Sequence, residues 1–169
     1  MIKQQGATLA ITLLLLFIVT LLAVSSIQIT HMQEKMSVNL QDKELSFNAA
    51  ESALAAGEAW VLSLSRLPTV EVSCTSYPCV QETFQNFTIS TQTASWWQNN
   101  SAVYTSTLDN VTTSPRYIIE FLQFVPDTPV IGDSSIKGAG VYYYQITSYG
   151  TGSTDNAISI LQTTMARRF

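Results

Sequence analysis

Residues Ala7–Val24 read ATLAITLLLLFIVTLLAV, and the reading of this stretch decides the fold. Threonines supply its only polar side chains, and between Lys3 and Glu34 the single titratable group is His31. At ~1.5 Å rise per residue such a helix spans about 27 Å, close to the ~30 Å hydrocarbon core of a bilayer. Threonine is tolerated there because its hydroxyl can bond a carbonyl one turn back. The preceding MIKQQG carries one positive charge. By the positive-inside rule the N-terminus stays cytoplasmic and the remainder is exported. Two simpler readings compete: a secretory signal cleaved near Ala23-Val24-Ser25, and a plain single-span anchor. Neither accounts for the long helix-forming segment that continues to Arg66.

Beyond the apolar run no proline occurs before Pro68, and Gly57 is the one intervening glycine. Residues 31–66 set their charges among Met, Leu, Ala, Gln and Glu, all good helix formers. At roughly 100° per residue, Met32, Met36, Leu40, Phe47, Ala50, Leu54, Val61 and Leu64 share one stripe. Val38, Leu45, Ala49, Ala56 and Trp60 form a second, and Glu44, Glu51 and Glu58 separate the two along one side. The pattern predicts one helix from about Ala7 to Arg66, ~90 Å long at that rise. Two stripes suit a helix packed on its own domain and also on neighbours. A helix buried on both sides within a single core is the alternative.

Composition narrows function. Charged residues are only 12% of the chain, its net charge is −4 and its pI near 4.8. Coating a nucleic acid needs clustered cations, and eight Lys/Arg do not supply them. The one histidine and two cysteines cannot complete a common zinc ligand set. A nucleophile–His arrangement would have to use His31, beside an apolar run. Asp109, Asp127, Asp133 and Asp155 lack calcium-loop spacing. No catalytic residue, cofactor or metal ligand is therefore assigned, and the chain reads as a non-enzyme.

From Leu67 onward the chain turns to Ser, Thr, Asn, Gln and Tyr. Cys74 and Cys79 enclose Thr-Ser-Tyr-Pro, and in an exported chain this spacing predicts a disulfide that shapes a small loop. The redox motif has two intervening residues, not four. Three strands are expected: Arg116–Val125, Gly140–Tyr149 and Asn156–Met165, with a hairpin loop over Gly150–Asn156. In the second, Tyr142, Tyr144 and Ile146 alternate with Tyr143, Gln145 and Thr147. Residues 84–93 and 103–108 read as further short strands or irregular loop. The sequons at Asn86, Asn99 and Asn110 read as chance occurrences. The fold class is α+β: a long N-terminal helix, part transmembrane and part amphipathic, packed on a three- or four-stranded antiparallel sheet.

The leader ending in Lys3-Gln4-Gln5-Gly6, followed by the apolar helix, resembles the class III signal of type IV pilins. Gly6-Ala7-Thr8-Leu9, Glu34–Asp42 and Leu45–Leu54 are similar to the N-terminal signature of PilX-type minor pilins, related to the GspK-type minor pseudopilin of type II secretion. Tyr144–Gly150 through Leu161-Gln162-Thr163 resembles that family's C-terminal strands. The resemblance covers the first 60 and last 30 residues, roughly; residues 67–130 fall outside it.

The resemblance implies a pilin-like fold: a leader over 1–6, a transmembrane half-helix over 7–30, an amphipathic half over 31–66 and a β-rich head over 67–169. It implies that a prepilin peptidase cuts between Gly6 and Ala7 and methylates Ala7. It also implies partners: the inner membrane, other minor pilins, the major pilin and a large tip adhesin. The subunit would wait in the inner membrane with its head in the periplasm, then stand at the pilus tip, where adhesion and twitching motility would depend on it. One departure from the major pilins is informative. They carry a glutamate five residues into the mature chain, paired with a neighbour's terminal amine; here Ile11 stands there. A buried amine is costly unless paired, so a subunit without that carboxylate suits the tip better than the shaft. The rival readings are a membrane-anchored periplasmic binding domain unrelated to filaments, and a pseudopilin of a type II secretion system.

Overall fold

The structure is a computed structural model that describes residues 7–84, 88–105, 108–127 and 139–169. The leader through Gly6, Asn86 and Asp133 lie outside the described residues, as does the side chain of Ala7. The chain divides into two compact units, residues 1–41 and 42–169. Helix α1, Ala7–Ser63, belongs to both. It ends three residues short of the expected Arg66: Leu64 N–H turns back to the Val61 carbonyl at 3.3 Å, and the Arg167 guanidinium takes the Leu64 carbonyl. Pro68 comes soon after, where no helix could continue.

In the second unit the α1 residues from Asp42 onward pack on a sheet of six strands among the described residues. These are β1 Val70–Glu71, β2 Val80–Glu82, β3 Ala102–Val103, β4 Arg116–Pro126, β5 Gly140–Thr151 and β6 Ile158–Arg167. Their order is β1-β2-β4-β5-β6, with β3 paired to the start of β4. The three long strands are the three expected from the sequence, and they pair antiparallel. The sheet is nevertheless larger than expected and mixed, because β1 and β2 add to β4 in parallel. Strands this short bury too few side chains to leave a period-2 signature. Of the two further stretches expected, 88–93 gives a 3-10 turn at Ile89–Thr91 and Val103 ends β3, while 85–87 and 106–107 lie outside the described residues; helix α2 is Ala94–Asn100. Thr93 caps α2 by accepting from Trp96 N–H at 3.3 Å.

Apolar clusters pack on both faces of the sheet. On the α1 side, Tyr117, Ile119, Tyr144 and Ile146 join Val80, Ala53 and Val61 in the main core. On the other, Ile118 and Tyr149 meet Ile89 and Trp97, whose indole stacks on Tyr149 at 5.1 Å and is fully buried.

The face that α1 turns to the sheet corrects the two-stripe expectation for this half. Ser46, Ala49, Ala50, Ala53, Gly57 and Val61 are buried. At roughly 100° per residue Ser46, Ala53 and Gly57 fall between the two apolar stripes. Leu54 from one stripe, and Ala56 and Trp60 from the other, pack half-buried against the same core. The stripes are the two shoulders of one buried face. Phe47, at the outer edge of the first, stays exposed.

Small residues let the backbones close in. A Cβ on Gly150 would lie 2.3 Å from Ala50 N and 2.6 Å from Ser46 O, and one on Gly152 would strike Asp42. The β5–β6 hairpin therefore reaches α1 only because these two positions lack side chains.

Candidate functional site

In the first unit the apolar run is helical throughout and every described side chain of it is exposed, from Leu9 to Val24. Leu, Ile, Val and Phe point in all directions, so the run is apolar around its whole circumference. Three hydroxyls in and just beyond it bond back to the helix: Thr12 donates to the Leu9 carbonyl at 3.0 Å, Thr20 to Phe17 at 2.8 Å and Ser26 to Leu22 at 2.9 Å. These three hydroxyls do not demand water, which suits burial in lipid or among apolar helices. The helix is long and apolar enough to cross a membrane. The first Asp, Glu, Lys or Arg of α1 is Glu34, whose carboxylate lies 3.8 Å from His31 Nδ1.

Ile11 sits in this run with 59% of its surface exposed. Its neighbours one turn away, Thr8 and Leu15, are uncharged, so the described part of the run offers no carboxylate to a foreign amine. Ala7 is the first helical residue.

In the second unit the structure brings Cys74 and Cys79 together as a disulfide, with Cα atoms 6.2 Å apart. The bridge frames a short loop between β1 and β2 and joins no distant parts of the head.

A latch that the sequence reading missed lies where α1 meets the β5–β6 loop. Asp42 Oδ1 accepts from Ser153 N–H at 2.6 Å and from the Ser153 hydroxyl at 2.8 Å, while Oδ2 accepts from the Thr154 hydroxyl at 2.5 Å. These hydroxyl and amide donors, Thr154 first, hold the Asp42 carboxyl below the usual carboxylate range. Lys43 adds a bond to the Ile158 carbonyl, and the Ser46 and Ser159 hydroxyls meet at 2.7 Å. Gly150-Thr-Gly152 was the available signal, since two glycines so close at a strand end mark a close backbone approach.

Glu120 was also missed. It lies within the apolar RYIIEFLQF run of β4 and is only 2% exposed. Its carboxylate accepts from Phe84 N–H at 3.1 Å and from the Gln145 amide at 3.4 Å. Burial pushes its pKa up, and those two bonds only partly oppose it. It borders a cavity of about 410 Å³ on the sheet face away from α1.

Comparison with known families gives two matches. The PilX N-terminal family matches residues 5–55, and the C-terminal family of the type IV pilus assembly protein PilX matches residues 65–167. The second match takes in residues 67–130, which the sequence resemblance had left unplaced. No curated protein and no solved structure matches the chain.

Proposed function

The chain belongs to the PilX family of type IV pilus assembly proteins, and on that premise we propose that it is a minor pilin that primes pilus assembly and sits at or near the tip. The family is one of assembly proteins, and its work lies in surfaces that pack. In this reading a prepilin peptidase cuts between Gly6 and Ala7 and methylates the new N-terminus. Residues 7–29 then hold the subunit in the inner membrane as a single span, with the head in the periplasm. Packing among the apolar helices of several minor pilins forms the initiating complex, and major pilins are added beneath it. On the cell surface the head presents a large adhesin or another minor pilin, and adhesion and twitching motility depend on that position.

The observation that carries the proposal is Ile11, exposed on the uncharged first stretch of α1. An amine buried among apolar helices needs a carboxylate from its neighbour, and an unpaired buried charge costs several kcal/mol, roughly 3–5. A subunit whose apolar run offers none is poorly recruited beneath others. It is fully able to come first, since no earlier subunit presents an amine to it.

The processing step is checked by mass spectrometry of the chain taken from membranes of cells with an intact pilus system. An N-methylated Ala7 at the terminus is the expected result. A chain beginning at Met1 or Ser26 would remove it from the filament pathway.

A further inference from the structure

The outer face of the sheet carries a constellation to which the proposed assembly role assigns no part. Glu120 on β4 is registered directly opposite Gln145 on β5, and Thr147 on β5 is opposite Gln162 on β6. Four polar side chains thus form a patch across three adjacent strands at the floor of the cavity of about 410 Å³. Phe84 and Ile160 supply apolar surface beside them. A cavity of this size falls in the ~300–1,000 Å³ class of small-ligand sites.

The buried carboxylate needs more than it receives. Glu120 has about four acceptor positions, and the described residues fill two, at 3.1 Å and 3.4 Å. No described residue lining the cavity carries a positive charge. Thr147 and Gln162, joined by a bond of 3.3 Å, line the same cavity.

We propose that this cleft binds a neutral polyhydroxylated ligand, a pyranose ring of a glycan. The lining selects that chemistry. A hydroxyl can donate to the Glu120 carboxylate and accept from the Gln145 or Gln162 amide, so neighbouring ring hydroxyls satisfy both kinds of group. The C–H face of the ring would lie on Phe84 and Ile160. Phosphate, sulfate or carboxylate ligands find no cation there and would meet Glu120 as a like charge. A metal ion would need several acidic or imidazole ligands, and no group of three is gathered among the described residues. An alkylammonium would match Glu120 but leave the amide donors of Gln145 and Gln162 without acceptors. The inference goes beyond the assembly role and stands or falls separately from it.

The test uses the full chain, purified in detergent micelles, with saturation-transfer NMR and calorimetry. Methyl β-galactoside and methyl α-mannoside represent the ends of cell-surface glycans, and the disaccharide of N-acetylglucosamine represents a wall glycan. Methylammonium and calcium serve as the competing chemistries. Saturable binding of at least one saccharide is expected, with Kd on the order of 1 mM, and the saccharide that binds identifies the source. Glu120→Gln keeps an acceptor for Phe84 N–H and removes the charge; it should weaken binding about tenfold. Gln162→Ala should weaken it as well, and carries the test alone if Glu120→Gln fails to fold. Absence of saturation with all three saccharides, or binding of methylammonium or calcium in their place, overturns the proposal. Saccharide binding that both variants leave unchanged would also overturn it, by placing the site elsewhere.

Discussion

The two halves of α1 use opposite kinds of residue. From Leu9 to Val24 the side chains are large, apolar and exposed; from Ser46 to Val61 the residues facing the sheet are mostly Ser, Ala and Gly, and they are buried. Hydrophobicity alone would have assigned the core to the first half. The head instead forms on the second, because small side chains let α1 approach β5 closely enough for Gly150 to meet Ala50. Close packing recovers in dispersion contacts what the small side chains lose in apolar area. The first half has no such surface in its own unit. Its apolar girth is suited to lipid and to other helices.

The largest effect that could break this contrast comes from enlarging Gly150. Gly150→Val places methyl groups where the α1 backbone lies, and should destabilise the head by about 3 kcal/mol. Leu15→Ala removes more apolar surface yet should leave head stability within about 0.5 kcal/mol, as expected of a side chain with no partner in its own unit. Chemical denaturation of both variants in detergent, tracked by tryptophan fluorescence from the buried Trp97, makes the comparison. Equal losses would mean that the two halves are not energetically distinct.

A substitution at Ile11 sharpens the other side of the contrast. Ile11→Glu supplies the missing carboxylate at a membrane cost below about 2.5–3.5 kcal/mol, the figure for a central charge. The expected result is a lower steady-state level in the inner membrane and a larger share of the subunit in sheared filaments. Quantitative immunoblotting of both fractions reads it. An unchanged filament share would show that the missing carboxylate does not limit entry to the shaft.

The smallest effect is acid release of the latch. The Asp42 carboxyl is held below its ordinary value of 3.8, so its contribution is fully present above that value. The contribution is lost as pH falls through the lower, folded-state value. Amide exchange at Ser153 and Thr154 should therefore be protected at neutral pH and lose that protection in strong acid. Asp42→Asn should show weakened protection at every pH. Protection in the variant equal to that of the parent would assign the loop's order to other contacts.

How much of this could be read in advance depended on side-chain size and segment length. The helix and the strands β4, β5 and β6 are long and rich in bulky apolar residues, and their limits were legible to within a few residues. The buried face of α1 was not, because Ser46, Ala53 and Gly57 carry no hydrophobic signal; their burial is a property of the partner surface. Helix α2 was missed because TASWWQNN is too short to show a period, and its order depends on Trp97 stacking on Tyr149. Glu120 was passed over inside a β-rich run, where a single polar residue reads as the solvent face. Gln145 and Gln162 lie far from it in sequence, and only register places them beside or near it.

Where the subunit stands in the filament tests the account most directly. Pili sheared from cells expressing an epitope-tagged chain at its native level can be gold-labelled and imaged by electron microscopy, with label counted against position along each filament. The account predicts label confined to one end, few copies per filament. Label distributed along the whole shaft, at a level comparable to the major subunit, would contradict it and make the chain an ordinary polymerising pilin despite Ile11.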